Sequence, residues 1–363
     1  MAGPQDAGSI RVGVLVHVPE VLRTFGLDPA GVVERAGLDL ALLQDADNVI
    51  PYVALDRLVG ICARETCCPH FGLLLGQLGG PASLGPLGLL IQHAPDVDTA
   101  LRELVLYLHI HDGGAAPNLE IFRTTAILSY SIYEPRVESG EQIADGAIAI
   151  GFNIMKALCG SKWLPGEVAL PRSKPVDLMP YQRFFQAPVR FDSEQAALLF
   201  STEWLGRKPP RSDAELHEFI AAQLRPKFDD NALAFAAQVR RVMRTQLTNR
   251  RVSVDAVAEL FGMHRRTLSR RLKTEGTTFD EILNEVRFEI ANHFLADTDM
   301  PLSQIAAALD YSEASAFTRA FRRWSGASPS DWRQLKRKEH NHVRGGTATD
   351  SGQVVSLSRK VNP

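Results

Sequence analysis

Two apolar stripes near the C-terminus leave this chain little freedom in how its last third folds. Val254, Val257, Ala258 and Phe261 recur at i, i+3, i+4 and i+7, and Phe317, Ala320, Phe321 and Trp324 repeat that spacing. This period belongs to a helix with one buried face. Ser253 supplies an N-cap before the first stripe, and Asp255 stands in the first turn, where the helix dipole favours a carboxylate. Gly262 ends the helix, because glycine takes a left-handed turn without steric penalty. A second helix is expected over 264–273. Met263, Leu268 and Leu272 form its apolar side and leave Arg265, Arg266, Ser269, Arg270 and Lys273 outside.

The plan then repeats with other residues. Pro301 sets the chain direction before a helix that buries Ile305, Ala306 and Leu309. Asp310 and Tyr311 turn the chain, Ser312 caps, and a helix over 313–324 buries Phe317, Phe321 and Trp324. Ser315, Ala316, Thr318, Arg319, Arg322 and Arg323 stay outside. Gly326 and the Ser328-Pro329-Ser330 stretch stop that helix and start a short final one around Trp332. Between the two units, residues 278–297 read as one helix, with Phe279, Ile282, Leu283, Val286, Ile290 and Phe294 on one side. It spans about 30 Å, close to the roughly 34 Å that separates major-groove faces on one side of B-DNA.

A helix, a turn and a second helix with a basic outer face is an arrangement suited to double-stranded DNA. Arg265, Arg266, Ser269 and Arg270 are expected to read bases in one groove segment, Arg gripping guanine through two bonds. Ser315, Ala316, Thr318 and Arg319 are expected to read the next. Lys273, Arg322 and Arg323 are assigned to phosphates. Phe261, Leu268, Leu272, Phe317, Phe321 and Trp324 form the core that holds both helices.

Residues 305–333, from Ile305 through Asp310, Tyr311, Phe317, Arg319, Phe321, Trp324, Gly326 and Pro329 to Arg333, resemble the signature of the AraC/XylS transcriptional regulators. Residues 257–276 resemble that family's first helix-turn-helix. Two positions depart from the pattern. Asp310 stands where the family has glycine, and aspartate is among the few residues that enter the left-handed region readily. His264 stands where the family has a capping serine, so an exposed histidine without a contact is expected there, with a contact to phosphate or base, or a less stable helix start, as the alternatives.

Charge divides along the same line. Lys and Arg against Asp and Glu give −9 for residues 1–224, +5 for 225–340 and +2 for the tail, against −2 for the chain. Phosphate repels the acidic part and attracts the basic one. The N-terminal body reads as α+β, followed by an all-α DNA-binding domain with two helix-turn-helix units joined by a long helix. Helices are expected over 51–64, 97–111 and 142–159, and strands over 126–132, 168–170 and 189–191. Residues 35–39, 71–76, 84–88 and 188–191 resemble the arabinose-binding-like N-terminal domain of a family subgroup that includes ornithine-utilisation and virulence regulators. The resemblance implies an effector-binding and dimerising domain.

The expected organisation is an effector domain over 1–213, a linker over 214–231 with a break at 225–230, a DNA-binding domain over 232–338, and a disordered tail over 339–363. A chain of 363 residues with 45% apolar content needs no disulfide staple. It has neither a secretory leader nor a membrane-length apolar run, so the bacterial cytoplasm, at the nucleoid, is the expected compartment. Promoter DNA, RNA polymerase, an unnamed small-molecule effector and a second copy of the chain are the expected partners, with no membrane. Activation is the mode the family resemblance implies.

The competing reading rests on Cys62, Cys67, Cys68 and His70: a metal- or redox-sensing regulator, or a DNA-repair methyl-acceptor. Adjacent cysteines followed by proline lack the two-residue spacing of zinc sites, and cysteine is a strongly buried residue type, so a structural role comes first. His109 and His111 do not share a helix face and read, with Asp112, as a helix end. The chain carries no phosphate-binding glycine loop, zinc-protease pattern or nucleophile elbow. No enzyme, cofactor or metal is expected.

Overall fold

The computed structural model describes residues 8–132, 134, 136–138, 140–230, 235–248, 252–261, 263–298 and 300–335. The Gly262 stop, the start of the DNA-binding domain at 232 and the tail past 335 lie outside the described residues. By its contacts the chain divides into two units, Met1–Leu283 and Asn284–Pro363.

In the first unit, β1 (Ser9–Arg11) pairs antiparallel with β2 (Val49–Pro51), and α1 (Val18–Thr24) and α2 (Pro29–Arg35) lie between them in sequence. α3 (Tyr52–Glu65), α4 (Phe71–Gly76), α5 (Pro86–His93) and α6 (Val97–Tyr107) follow. β3 (Ala115–Ile121) and β4 (Thr125–Ile132) form a hairpin, and α7 (Gly140–Cys159) comes next. β5 (Glu167–Ala169), α8 (Met179–Phe185), β6 (Val189–Arg190) and β7 (Ala196–Ser201) complete a sheet of order β3-β4-β7-β5-β6. All its pairings are antiparallel except β5 with β6.

One core packs Leu101, Ile148, Phe152, Trp163, Phe185 and Leu198 around the sheet and α7. A second packs Leu22, Val33, Ile50, Leu58 and Phe71 around α1 to α4. Small residues bring α4 and α7 together backbone to backbone. A Cβ on Gly72 would stand 2.0 Å from the Gln142 carbonyl oxygen, and one on Gly76 would stand 2.5 Å from that of Gly146.

Helix α9 (Ala214–Asp230) corrects the expected break at 225–230. Pro226 removes one backbone hydrogen bond but does not end the helix here, because proline's fixed φ is itself helical. α10 (Phe235–Thr248), α11 (Val254–Leu260) and α12 (Arg265–Thr274) then form a helical group, with Val239, Met243, Leu247, Val257, Leu268 and Leu272 almost wholly buried. α10 lies against the edge strand β3, and α11 against α6.

Helix α13 (Phe279–Asp297) matches the expected connector to within a residue. Thr278 and Glu281 close a reciprocal capping box: the Thr278 amide donates to Glu281 at 2.8 Å, and the Glu281 amide to the Thr278 hydroxyl at 3.3 Å. Its buried stripe differs from the expected one. Ile282 and Val286 are buried, but farther along it is Ala291 and Leu295 that are inaccessible, with Ile290 and Phe294 only half-buried.

In the second unit, α14 (Leu302–Ala308) and α15 (Ala314–Ser325) enclose Ile305, Leu309, Phe317 and Phe321. A ring cluster of Phe288, Trp324 and Trp332 packs on Phe321, with centroids 5.5–6.5 Å apart. Residues 329–335 open the expected final helix.

Candidate functional site

Leu268 and Leu272 are fully buried and fix the rotation of α12. Arg265, Arg266, Ser269, Arg270 and Lys273 are all exposed, within an arc of about 140° at 100° per residue. Arg265 reaches Asp255 at 3.7 Å. Phe261 is half-buried, its ring 5.2 Å from that of Phe235. His264 takes extended dihedrals, and its Nδ1 accepts the Arg266 N–H at 3.2 Å. The imidazole therefore caps the helix, against the expectation that it would leave the start uncapped.

On α15, buried Phe317, Ala320 and Phe321 and half-buried Trp324 lie almost opposite exposed Ser315, Arg319, Arg322 and Arg323. Ala316 and Thr318 are half-exposed, and the Thr318 hydroxyl donates to the Ala314 carbonyl at 2.8 Å. Ser315 donates to Glu313 at 3.0 Å. The helix begins one residue later than expected, with Glu313 at the cap position and no side-chain cap bond. Ser312 thus falls outside the capping position, which corrects its assignment. Asp310 does take the left-handed region, at φ 62°. Arg287 stands 3.7 Å from its carboxylate and 4.9 Å over the Tyr311 ring.

A second candidate site lies inside the N-terminal body. A cavity of about 130 Å³ is bounded by β1 and the segment after it, by α3, α4, the end of α6, α7, and strands β3 and β4. Most of its wall is Val, Leu and Ile. Its polar members are largely engaged with the protein. Asp112 accepts the amides of Gly114 at 2.9 Å and Ala115 at 3.1 Å, and the Tyr130 hydroxyl at 2.5 Å. The Tyr130 and Tyr52 hydroxyls are 3.1 Å apart. Burial and the Asp112 charge push the Tyr130 phenol well above its ordinary range. Gln142 accepts from the Gly72 amide and donates to the Pro69 carbonyl, each at 2.8 Å.

Arg11 and His111 share one edge of this cavity, the Arg11 amide donating to the His111 carbonyl at 2.8 Å. The Arg11 guanidinium pairs with Asp47. Burial, helped by the Arg11 charge, lowers the His111 pKa to about 4, so the ring is neutral.

Comparison with known proteins bears on both domains. Residues 26–209 match the family described as the arabinose-binding domain of AraC transcription regulators, N-terminal, and residues 257–335 match a helix-turn-helix domain. The chain belongs to the AraC family. It is 26% identical over 328 residues to the HTH-type transcriptional regulator VirS of Mycobacterium tuberculosis H37Rv, over 89% of this chain and 96% of that one. The ornithine utilization regulator of Pseudomonas aeruginosa is 24% identical over 320 residues, covering 87% and 93%. The crystal structure of CdpR from Pseudomonas aeruginosa aligns at a TM-score of 0.39 and 22% identity, over 72% of this chain and 86% of that one.

As an AraC-family protein, the chain is a DNA-binding transcription regulator with an α+β N-terminal domain and a helical helix-turn-helix domain. No described helix is long and apolar enough to cross a membrane. Nothing favours the cysteine-based reading. Cys62 and Cys68 are buried; burial raises both thiols, Cys62 to about 12. A thiol shifted upward stays protonated and is a poor ligand and nucleophile. Among the described residues no three His, Cys, Asp or Glu are grouped to hold a metal.

Sequence reasoning missed the cavity. It placed His111 at a helix end, but α6 stops at Tyr107 and a tight turn over Leu108–Ile110 carries His111 and Asp112 off it. The Asp112-Gly113-Gly114 run was the available signal, since two glycines after a polar residue mark a break.

Proposed function

We propose that this regulator is an effector-responsive activator whose two recognition helices enter successive segments of the major groove. The observation that carries the proposal is the opposition, on each helix, between a buried apolar face and an exposed face bearing arginines. Arg265, Arg266, Ser269 and Arg270 read the first segment, and Ser315, Ala316, Thr318 and Arg319 the second. Lys273, Arg322 and Arg323 hold phosphates. The 19 residues of α13, about 28 Å long, support the spacing. The domain assignment is 1–213 for effector binding and dimerisation, 214–231 for the linker, 232–338 for DNA and 339–363 for the tail.

The effector occupies the N-terminal cavity. Two of the elements that line it, α6 through Leu104 and β3 through Pro117, also carry α11 and α10. A ligand that binds one arrangement of these walls better than another biases how the first helix-turn-helix is held, by as much as its difference in affinity. RNA polymerase recruitment follows promoter occupancy, at the bacterial nucleoid, and no catalytic step is involved. Selecting bound fragments from the source genome, with and without metabolites, tests the proposal. The expected result is one recurrent motif with two segments about a helical turn apart. Absence of any preferred duplex at moderate salt overturns it.

A further inference from the structure

We infer that the effector is a small apolar monocarboxylate, an aromatic or branched-chain acid whose hydrocarbon part is about the size of benzene, held by Arg11 and His111 at its carboxylate and by the cavity wall along its hydrocarbon. This inference rests on the effector reading above and names its chemical class.

Size sets the first limit. The cavity of about 130 Å³ is comparable to apolar cavities of roughly 150 Å³ that take up benzene. Wall chemistry sets the second. Ile10, Leu55, Leu75, Leu128 and Ile148 offer only hydrocarbon, while Asp112 and Gln142 already have protein partners on their polar atoms, and the buried Ser129 hydroxyl, without a partner, offers a single contact. A sugar would bury several hydroxyls here without partners, each at a desolvation penalty.

Charge sets the third. Arg11 is the cationic residue of the lining, and the Asp112 carboxylate is met locally by two amides and a phenol. Among the described residues, the buried Nδ1 of His111 has no hydrogen-bond partner. A neutral imidazole offers one N–H, which a ligand carboxylate accepts. The Arg11 side chain is 15% exposed, whereas its partner Asp47 is 73% exposed. Asp47 is therefore an exchangeable counterion, and an incoming carboxylate replaces it with a better-shielded, charge-assisted contact.

Calorimetric titration of the full-length protein tests this with phenylacetate, its neutral isostere phenylacetamide, and L-arabinose. Phenylacetate is expected to bind, phenylacetamide at least about tenfold more weakly, and L-arabinose not to bind. Asp47→Asn should tighten phenylacetate by removing the competing carboxylate, which a merely structural pair would not do. Arg11→Met should weaken it by about tenfold or more; if that variant does not fold, Asp47→Asn and His111→Gln still decide. Equal affinity for acid and amide, or no change in Asp47→Asn, overturns the carboxylate assignment. If the acids fail but another metabolite alters promoter binding, the class is wrong and the effector reading stands; if no metabolite alters it, both fall.

Discussion

In α12 the cations run the length of the helix, from Arg265 and Arg266 in the first turn through Arg270 to Arg271 and Lys273 in the last, outside two buried leucines, whereas α15 opens on Ala314, Ser315 and Ala316 and carries its cations from Arg319 onward, with Arg322 and Arg323 in the last turn. Their anchors differ as well. α12 sits on aliphatic side chains and is capped by His264, while α15 lacks a side-chain cap and sits in a cluster of aromatic rings. On the proposed assignment, the first helix discriminates mainly through three arginines and the second mainly through short side chains that demand close approach, with Arg319 beside them. Close approach requires a well-placed helix, and on α15 it is the ring cluster that holds it.

The largest expected effect comes from removing that seat. Phe321→Ala, at a residue with no exposed surface, should destabilise the second unit by about 3–5 kcal/mol, read by chemical denaturation. A loss under about 1 kcal/mol would remove the ring cluster from the contrast. Next is Arg266→Ala, expected to reduce specific binding by about 1–3 kcal/mol and relax preference at one base position. An unchanged binding-site logo would take Arg266 out of the reading set.

His264→Ala should lower stability by about 1 kcal/mol while His264→Ser stays near wild type. Equal melting temperatures for all three proteins would show that the imidazole cap contributes nothing. The smallest effect on discrimination belongs to Arg323→Ala. All duplexes should bind more weakly to a similar extent, with a salt dependence shallower by about one phosphate contact. A change confined to sequence preference would move Arg323 from phosphate to base.

Much of this was legible beforehand because helices announce themselves locally. The stripes over 254–261 and 317–324, the connector and the left-handed Asp310 all depend on residues within a turn or two of one another. What escaped depends on distant partners. β3 contains Pro117 and Asn118, and β7 begins with Ala196, Ala197 and Leu198, which suits a helix as well as a strand. Both become strands because β4 pairs with them on either side. The cavity was hidden for the same reason, since Arg11, Leu75, His111 and Ile148 meet only after folding. The drift of the buried stripe along α13 escaped because either of two adjacent rows can be covered, and the neighbours decide which.

The glycine contact between α4 and α7 has a mechanical corollary. Gly76 and Gly146 help to line the chamber, and where two backbones already touch there is no side chain left to compress or rotate. On the proposed reading, a guest that needs more room has that wall closed to it and is left with the other linings, α6 and β3 among them, which bear α11 and α10. Part of any swelling of the chamber would then fall on the two elements that carry α10 and α11.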